Sequence, residues 1–198
     1  MNNFRKLKSA LFFVALLTVT SFAITSCDNK AKTEDAKEVA EDKNEAKMDD
    51  SKNEYDAEFL VDVAEANQNE MSLGKLAQQK GSMAEVKEFG KMMVEEHTKE
   101  MADLSALAAK KSISLPAAKT DDVIEGYKEM SEKSGKKFDE AFCEKMVDGH
   151  KDVISKFEKA STDAVDPDIK MMATNMLPDL RKHLEMAEMC KKKCEAMK

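Results

Sequence analysis

The chain has 198 residues and a net charge of −7, with 36 % charged and only 6 % aromatic residues, no Trp, 6 Gly and 3 Pro. So few turn formers argue against a β-sandwich or barrel, and the length suits one domain. The 15 Met, set among Ala, Glu, Lys and Leu, point to an all-α protein. The acidity deepens to −10 once the first 26 residues, with Arg5, Lys6 and Lys8, are removed. Such a surface repels phosphate backbones, so no nucleic-acid partner is expected.

Arg5, Lys6 and Lys8 precede an apolar stretch from Ala10 to Ile24. At about fifteen residues it is shorter than the roughly twenty that a spanning helix needs. A basic head, an apolar middle and small residues before a cut site describe an export signal over 1–26. Ile24-Thr25-Ser26-Cys27 resembles a bacterial lipobox, in which the Cys is lipidated. The expectation is a lipoprotein whose membrane partner is reached through Cys27, placed in the bacterial envelope at the periplasm or outer membrane. Cys143, Cys190 and Cys194 then sit in an oxidising compartment. Residues 27–54 are Lys, Glu, Asp, Ala and Asn with few large apolar residues. They read as an anchored, disordered, charged tether, which leaves 55–198 as the folded domain.

From Tyr55 the apolar residues take helical spacing. Phe59, Leu60, Val63, Ala64, Asn67, Glu70, Met71, Gly74 and Ala77 share one face. Asp56 is placed to cap this helix and Gly81 to end it. Ser82-Met83-Ala84-Glu85 is a capping-box pattern opening a second helix over about 83–111. Its stripe is Val86, Phe89, Gly90, Met93, His97, Met101, Leu104 and Leu107. Ser112 to Lys119 reads as a loop and Thr120 to Lys133 as a short helix. A third long helix carries Phe138, Phe142, Met146, His150, Val153 and Phe157. Asp166-Pro167 restarts the chain as cap and first helical residue. The fourth stripe is Ile169, Ala173, Met176, Leu180, His183, Ala187, Cys190 and Cys194, interrupted by Pro178, which should kink the helix. Four long amphipathic helices make a four-helix bundle, and the long second connection, with its short helix, can run the bundle's length as in a ferritin-like crossover.

Several segments also resemble a known family. They are Glu-Met-Ser-Leu-Gly-Lys-Leu-Ala at 70–77, Val-Lys-Glu-Phe-Gly-Lys-Met-Met-Val-Glu-Glu-His at 86–97, Lys-Phe-Asp-Glu-Ala-Phe at 137–142, His150, and Leu-Pro-Asp-Leu-Arg-Lys-His-Leu at 177–184. In this order they are similar to the bacterial ferritin-like domain-of-unknown-function family numbered 4142, over roughly 55–190. The resemblance implies a ferritin-like fold and an envelope location. It implies no catalytic residue.

The chain has 3 His, one on each of the last three long helices and each on the apolar stripe. His97, His150 and His183, with Glu70 on the first helix, fall within about two turns of mid-height in a bundle about 40 Å tall. Three readings are open. Three imidazoles and a carboxylate suit a transition metal such as Zn, Cu or Fe. The same residues can form a hydrogen-bonded layer that fixes the core. One or more His can lie at the rim. A di-iron oxidase needs Glu-x-x-His on two helices, and Val94, Val147 and Leu180 stand three residues before the His. With no nucleophile–base constellation either, the chain does not read as an enzyme. A non-catalytic interaction module of the envelope is the alternative to a metal-binding protein.

Cys143 lies seven residues before His150 and Cys190 seven after His183. On antiparallel helices both fall one heptad beyond the His layer, with Cys194 a turn further. A disulfide from Cys143 to Cys190 or Cys194, Cys190 favoured, is expected outside the cytoplasm, and the alternative is free, buried Cys acting as small apolar residues. Met186, Met189, Cys190, Cys194 and Met197 also present soft sulfur at helical spacing, a pattern that fits Cu(I).

Overall fold

The computed structural model describes residues 34–48 and 51–196. The expected export signal and Cys27 lie outside the described residues. Among these, every regular element is a helix: α1 Ala36–Glu45, α2 Ser51–Lys80, α3 Ala84–Lys110, α4 Asp121–Ser131, α5 Gly135–Asp163 and α6 Pro167–Ala196. None of them is long and apolar enough to cross a membrane. The four long helices are those of the four stripes, and α6 runs through Pro178 as one element.

Burial of the stripes sets the packing. α2 packs chiefly on α3 and α5 chiefly on α6, while α2–α5 and α3–α6 contacts join the two pairs. One apolar cluster gathers Phe59 and Leu60 early in α2, Leu104 late in α3, Phe157 late in α5 and Ile169 early in α6. A second gathers Leu76 late in α2, Phe89 early in α3, Phe142 early in α5 and Cys194 late in α6. Hence α2 and α6 run one way and α3 and α5 the other. α3 ends beside the first cluster and α5 begins beside the second, so the connection between them travels from one to the other. α4 packs on α2 along that path, as the sequence predicts. Thr120 caps α4, its hydroxyl accepting from the Val123 N–H at 3.3 Å.

Two glycines bring α2 and α3 close. A Cβ on Gly74 would lie 2.6 Å from the Gly90 carbonyl oxygen, and one on Gly90 would lie 2.7 Å from that of Gly74. The backbones meet one turn past Glu70 and two turns before His97, which fixes the spacing of those two side chains.

Two expected caps are replaced by carboxylates reaching across the fold. α2 begins at Ser51, so Asp56 is inside it rather than at its start. Its buried carboxylate accepts the Val165 N–H at 3.0 Å and the Asp166 N–H at 2.7 Å, holding the α5–α6 turn. Asp166 in turn caps α6, accepting from Asp168 and Ile169 at 2.9 and 3.3 Å. At the other end the capping box does not form. Met83 is the N-cap of α3 and gives no side-chain bond. Buried Asp139 of α5 instead accepts the Ser82 N–H at 3.0 Å, the Met83 N–H at 3.0 Å and the Ser82 hydroxyl. An acceptor already fixed in a core loses less entropy than a freely rotating Ser.

The tether expectation fails over Ala36–Glu45, which form α1 packed on α2. Asp35 caps it, accepting the Lys37 N–H at 2.7 Å. Lys37 Nζ lies 2.7 Å from both Asp62 and Glu65 of α2. Asn44 is buried and clasps the backbone of Ser114, donating to its carbonyl at 2.9 Å and accepting its N–H at 2.7 Å. The Asp121 N–H donates to Asp35. α1 thus ties both ends of the loop before α4 to α2. Its holding contacts are polar and paired, so a scan for large apolar residues misses them.

Candidate metal centre

A polar layer separates the two apolar clusters. It holds Asn67 and Glu70 of α2, His97 of α3, His150 of α5 and His183 of α6, all buried. The rim reading of the His is therefore excluded. The ring centroids lie 6.4 Å apart for His97–His150, 5.7 Å for His97–His183 and 5.5 Å for His150–His183. One ring nitrogen of each lies within 4.8 Å of the others.

Each ring is held from outside by an acceptor. His97 Nδ1 is 2.8 Å from Asn67 Oδ1, with Glu100 Oε2 also at 2.8 Å. His150 Nδ1 is 2.8 Å from the Met146 carbonyl oxygen. His183 Nε2 is 2.6 Å from Glu96 Oε2. A carbonyl or carboxylate oxygen can only accept, so these nitrogens carry the protons. The other nitrogens, His97 Nε2, His150 Nε2 and His183 Nδ1, are buried without a hydrogen-bond partner. Buried polar atoms are paired in the great majority of proteins, so His150 Nε2 and His183 Nδ1, which face no partner at all, call for a cause.

Glu70 completes the layer. Oε2 makes an ion-pair contact of 2.5 Å with His97 Nε2, and Oε1 is 3.5 Å from His150 Nδ1. Burial pushes the Glu70 carboxyl up, but His97 and His150 overcome this and hold it at about 2. Burial pulls His97 down, yet Glu70 and Glu100 raise it to about 10. His183 is lowered, because burial and the neighbouring His150 and His97 outweigh the pull of Glu96.

The converging donor set is the three imidazoles, and the Glu70 carboxylate lies against two of them, His97 and His150. An ion about 2 Å from each donor would hold tetrahedral donors about 3.3 Å apart, inside the 4.8 Å within which the three ring nitrogens lie. The outer acceptors match how metal-bound His are oriented, with the far ring nitrogen tied to a carboxylate or carbonyl. The structure brings Glu70, His97, His150 and His183, the residues singled out in the sequence, together in one buried layer. Sequence reasoning missed Glu96 and Glu100, whose only signal was their place beside His97 at the helix surface.

The three thiols also converge. Cys143 Sγ lies 2.6 Å from Cys190 Sγ and 3.6 Å from Cys194 Sγ, and Cys194 Sγ lies 3.4 Å from Met83 Sδ. All three are buried and carry no disulfide in this structure, and the shortest contact is the Cys143–Cys190 pair that the sequence favoured. Hydrogen bonding to Cys190 and burial push Cys143 up, and burial raises Cys194 to about 11. Cys190 is lowered by the Cys143 thiol against the effect of burial.

The profile of a domain of unknown function, DUF4142, matches residues 37–190. The chain belongs to the DUF4142 family. That match begins inside α1, so the family unit includes the helix that composition assigned to the tether. No curated protein and no solved structure matches the chain.

Proposed function

We propose that this DUF4142 protein is a lipid-anchored protein of the bacterial envelope whose ferritin-like four-helix bundle holds one transition-metal ion. His97 Nε2, His150 Nε2, His183 Nδ1 and Glu70 would supply the donors, and Asn67, Glu96, Glu100 and the Met146 carbonyl would orient the rings. The observation that carries this reading is the convergence of three buried imidazoles, each with one ring nitrogen already engaged, in which His150 Nε2 and His183 Nδ1 have no partner and His97 Nε2 meets only the Glu70 carboxylate. Four protein donors fill a tetrahedron, which fits a structural or storage role better than catalysis at an open position. Zn and Cu suit the donors, as does Fe.

The alternative is a layer that only fixes the core. The contact between Glu70 and His97 favours it, since a charged pair there satisfies both groups. It leaves His150 Nε2 and His183 Nδ1 unanswered. Metal analysis of protein purified without an affinity tag separates the two. A bound ion near one per chain, lost in His150→Ala, supports the metal. Metal-free protein that is merely destabilised by the substitution supports the layer.

The anchor rests on the Ile24-Thr25-Ser26-Cys27 pattern. If Cys27 carries lipid, the eight residues before Ala36 reach at most about 28 Å, which keeps the bundle close to the bilayer. Cys27→Ser should move the protein from the detergent phase to the aqueous phase. Unchanged partition would remove the anchor from the proposal.

A further inference from the structure

The sulfur cluster lies about two turns from the His layer along α5 and α6, since Cys143 and Cys190 are each seven residues from a layer His. Its sulfurs lie within 4.8 Å of one another. A disulfide would use two of them and leave Cys194 and Met83 without a part. Four sulfur atoms from three segments converge instead: Met83 before α3, Cys143 of α5, and Cys190 and Cys194 of α6.

A route from solvent leads to the same place. A cleft of about 360 Å³ opens beside Cys190 between α3 and α6. Met92, Met186 and Met189 line it, and Glu88 and the Glu85–Lys193 pair, 3.0 Å apart, stand at its side. Met189 is exposed, and Met92 and Met186 are partly buried against the core. A soft ion entering the cleft therefore meets the exposed Met189 thioether before the buried Cys190 thiol.

We propose that Cys143, Cys190 and Cys194, with Met83, bind one Cu(I) ion delivered along this methionine-lined cleft. Thiolate and thioether are soft donors and select a soft ion, whereas Zn sites are built from thiolate, imidazole and carboxylate without thioether. A monovalent ion also brings less charge into an apolar cluster than a divalent one, so its desolvation costs less. First-row metal–sulfur bonds of about 2.3 Å would hold three trigonal sulfurs about 4 Å apart, inside the present spread. Each thiol that ligates releases its proton to solvent, and no electron is transferred. The site stands apart from the His layer and does not depend on it.

The test is an anaerobic titration of the full, reduced chain with Cu(I) against a chromogenic Cu(I) chelator, followed by X-ray absorption. The expected result is one Cu(I) per chain with sulfur-only ligation, retained in His150→Ala. Cys190→Ser with Cys194→Ser should weaken it at least a hundredfold. Met83→Leu keeps the core apolar and all thiols present, and should weaken it about tenfold, so the outcome does not hang on a variant that fails to fold. Nitrogen ligation lost in His150→Ala would overturn the assignment, because the ion would then be in the His layer. Equal Cu(I) affinity in the double Cys variant would overturn it too, as would sulfur ligation obtained with Zn(II) but not with Cu(I).

Discussion

The His layer and the sulfur cluster are both buried, both built on three side chains from the long helices, and one heptad apart. They differ in how they satisfy themselves. Thiols are weak donors and acceptors and tolerate an apolar wall, so Cys143, Cys190 and Cys194 rest against one another and Met83. Imidazoles cannot do this. Each ring has one nitrogen fixed by an acceptor; of the others, His97 Nε2 meets Glu70 while His150 Nε2 and His183 Nδ1 have no partner. A buried unpaired polar atom costs about 1–3 kcal/mol, which three buried thiols do not incur. The sulfur cluster is therefore stable with or without an ion, while the His layer gains most from an occupant.

The largest effect that can break this comparison is at His150. Excess Zn(II) at a thousand times its dissociation constant should raise the stability of the native protein by about 4 kcal/mol. His150→Ala should abolish that response, while the double Cys variant should keep it. Thermal unfolding with and without Zn(II) measures both. A Zn(II) response that survives His150→Ala would mean that the layer is not the site.

The next effect sharpens the contrast by removing a region that touches neither cluster. A protein beginning at Ser51 lacks α1, with its Asn44–Ser114 clasp and its Lys37 pairs. Two net hydrogen bonds and a modest pair contribution amount to about 2 kcal/mol. The melting temperature should fall by about 4–8 °C. Metal stoichiometry at either cluster should not change. An unchanged melting temperature would return 36–45 to the role of a tether.

How much of this was legible in the sequence follows from the kind of contact. Stripes are periodic, so the four long helices and the inward direction of His97, His150 and His183 could be read directly. Matched height placed Glu70 with them. Pairing across helices has no period. Asp139 capping Ser82 and Met83, and Glu96 reaching His183, join residues 57 and 87 apart. α1 was hidden for a related reason: its buried residues are Ala40 and Asn44, too small or too polar to mark a core.

A smaller effect tests the outer partners. Glu96→Gln keeps an acceptor for His183 Nε2–H but removes its charge. Metal affinity at the His layer should drop about tenfold, at the low end for such orienting groups. Cu(I) affinity at the sulfur cluster should be unchanged. A loss at both clusters would show that the substitution disturbs α3–α6 packing rather than one ring.

The smallest effect isolates α1 from both clusters, in metal-free reduced protein. Burial pushes the Asp62 carboxyl up, but Lys156 and Lys37 outweigh it and leave it below its usual 3.8. A depressed acid contributes stability above its unfolded value and loses it as pH falls through the folded one. Lys37 is raised by Asp62 and Glu65 despite burial, so its share is present below 10.5 and is lost only at higher pH. The pairs therefore contribute fully between about pH 5 and pH 10. Deleting α1 removes Lys37 and leaves Lys156, 2.6 Å from Asp62, in place. The gap in stability between the full chain and the protein beginning at Ser51 should thus narrow, by a few tenths of a kcal/mol, as pH falls from about 5 to 3. Denaturant unfolding of the two proteins at those pH values measures the gap. A gap that does not change would assign the hold on α1 to contacts that do not titrate in that range, the Asn44–Ser114 clasp and the packing of Ala40 and Met48.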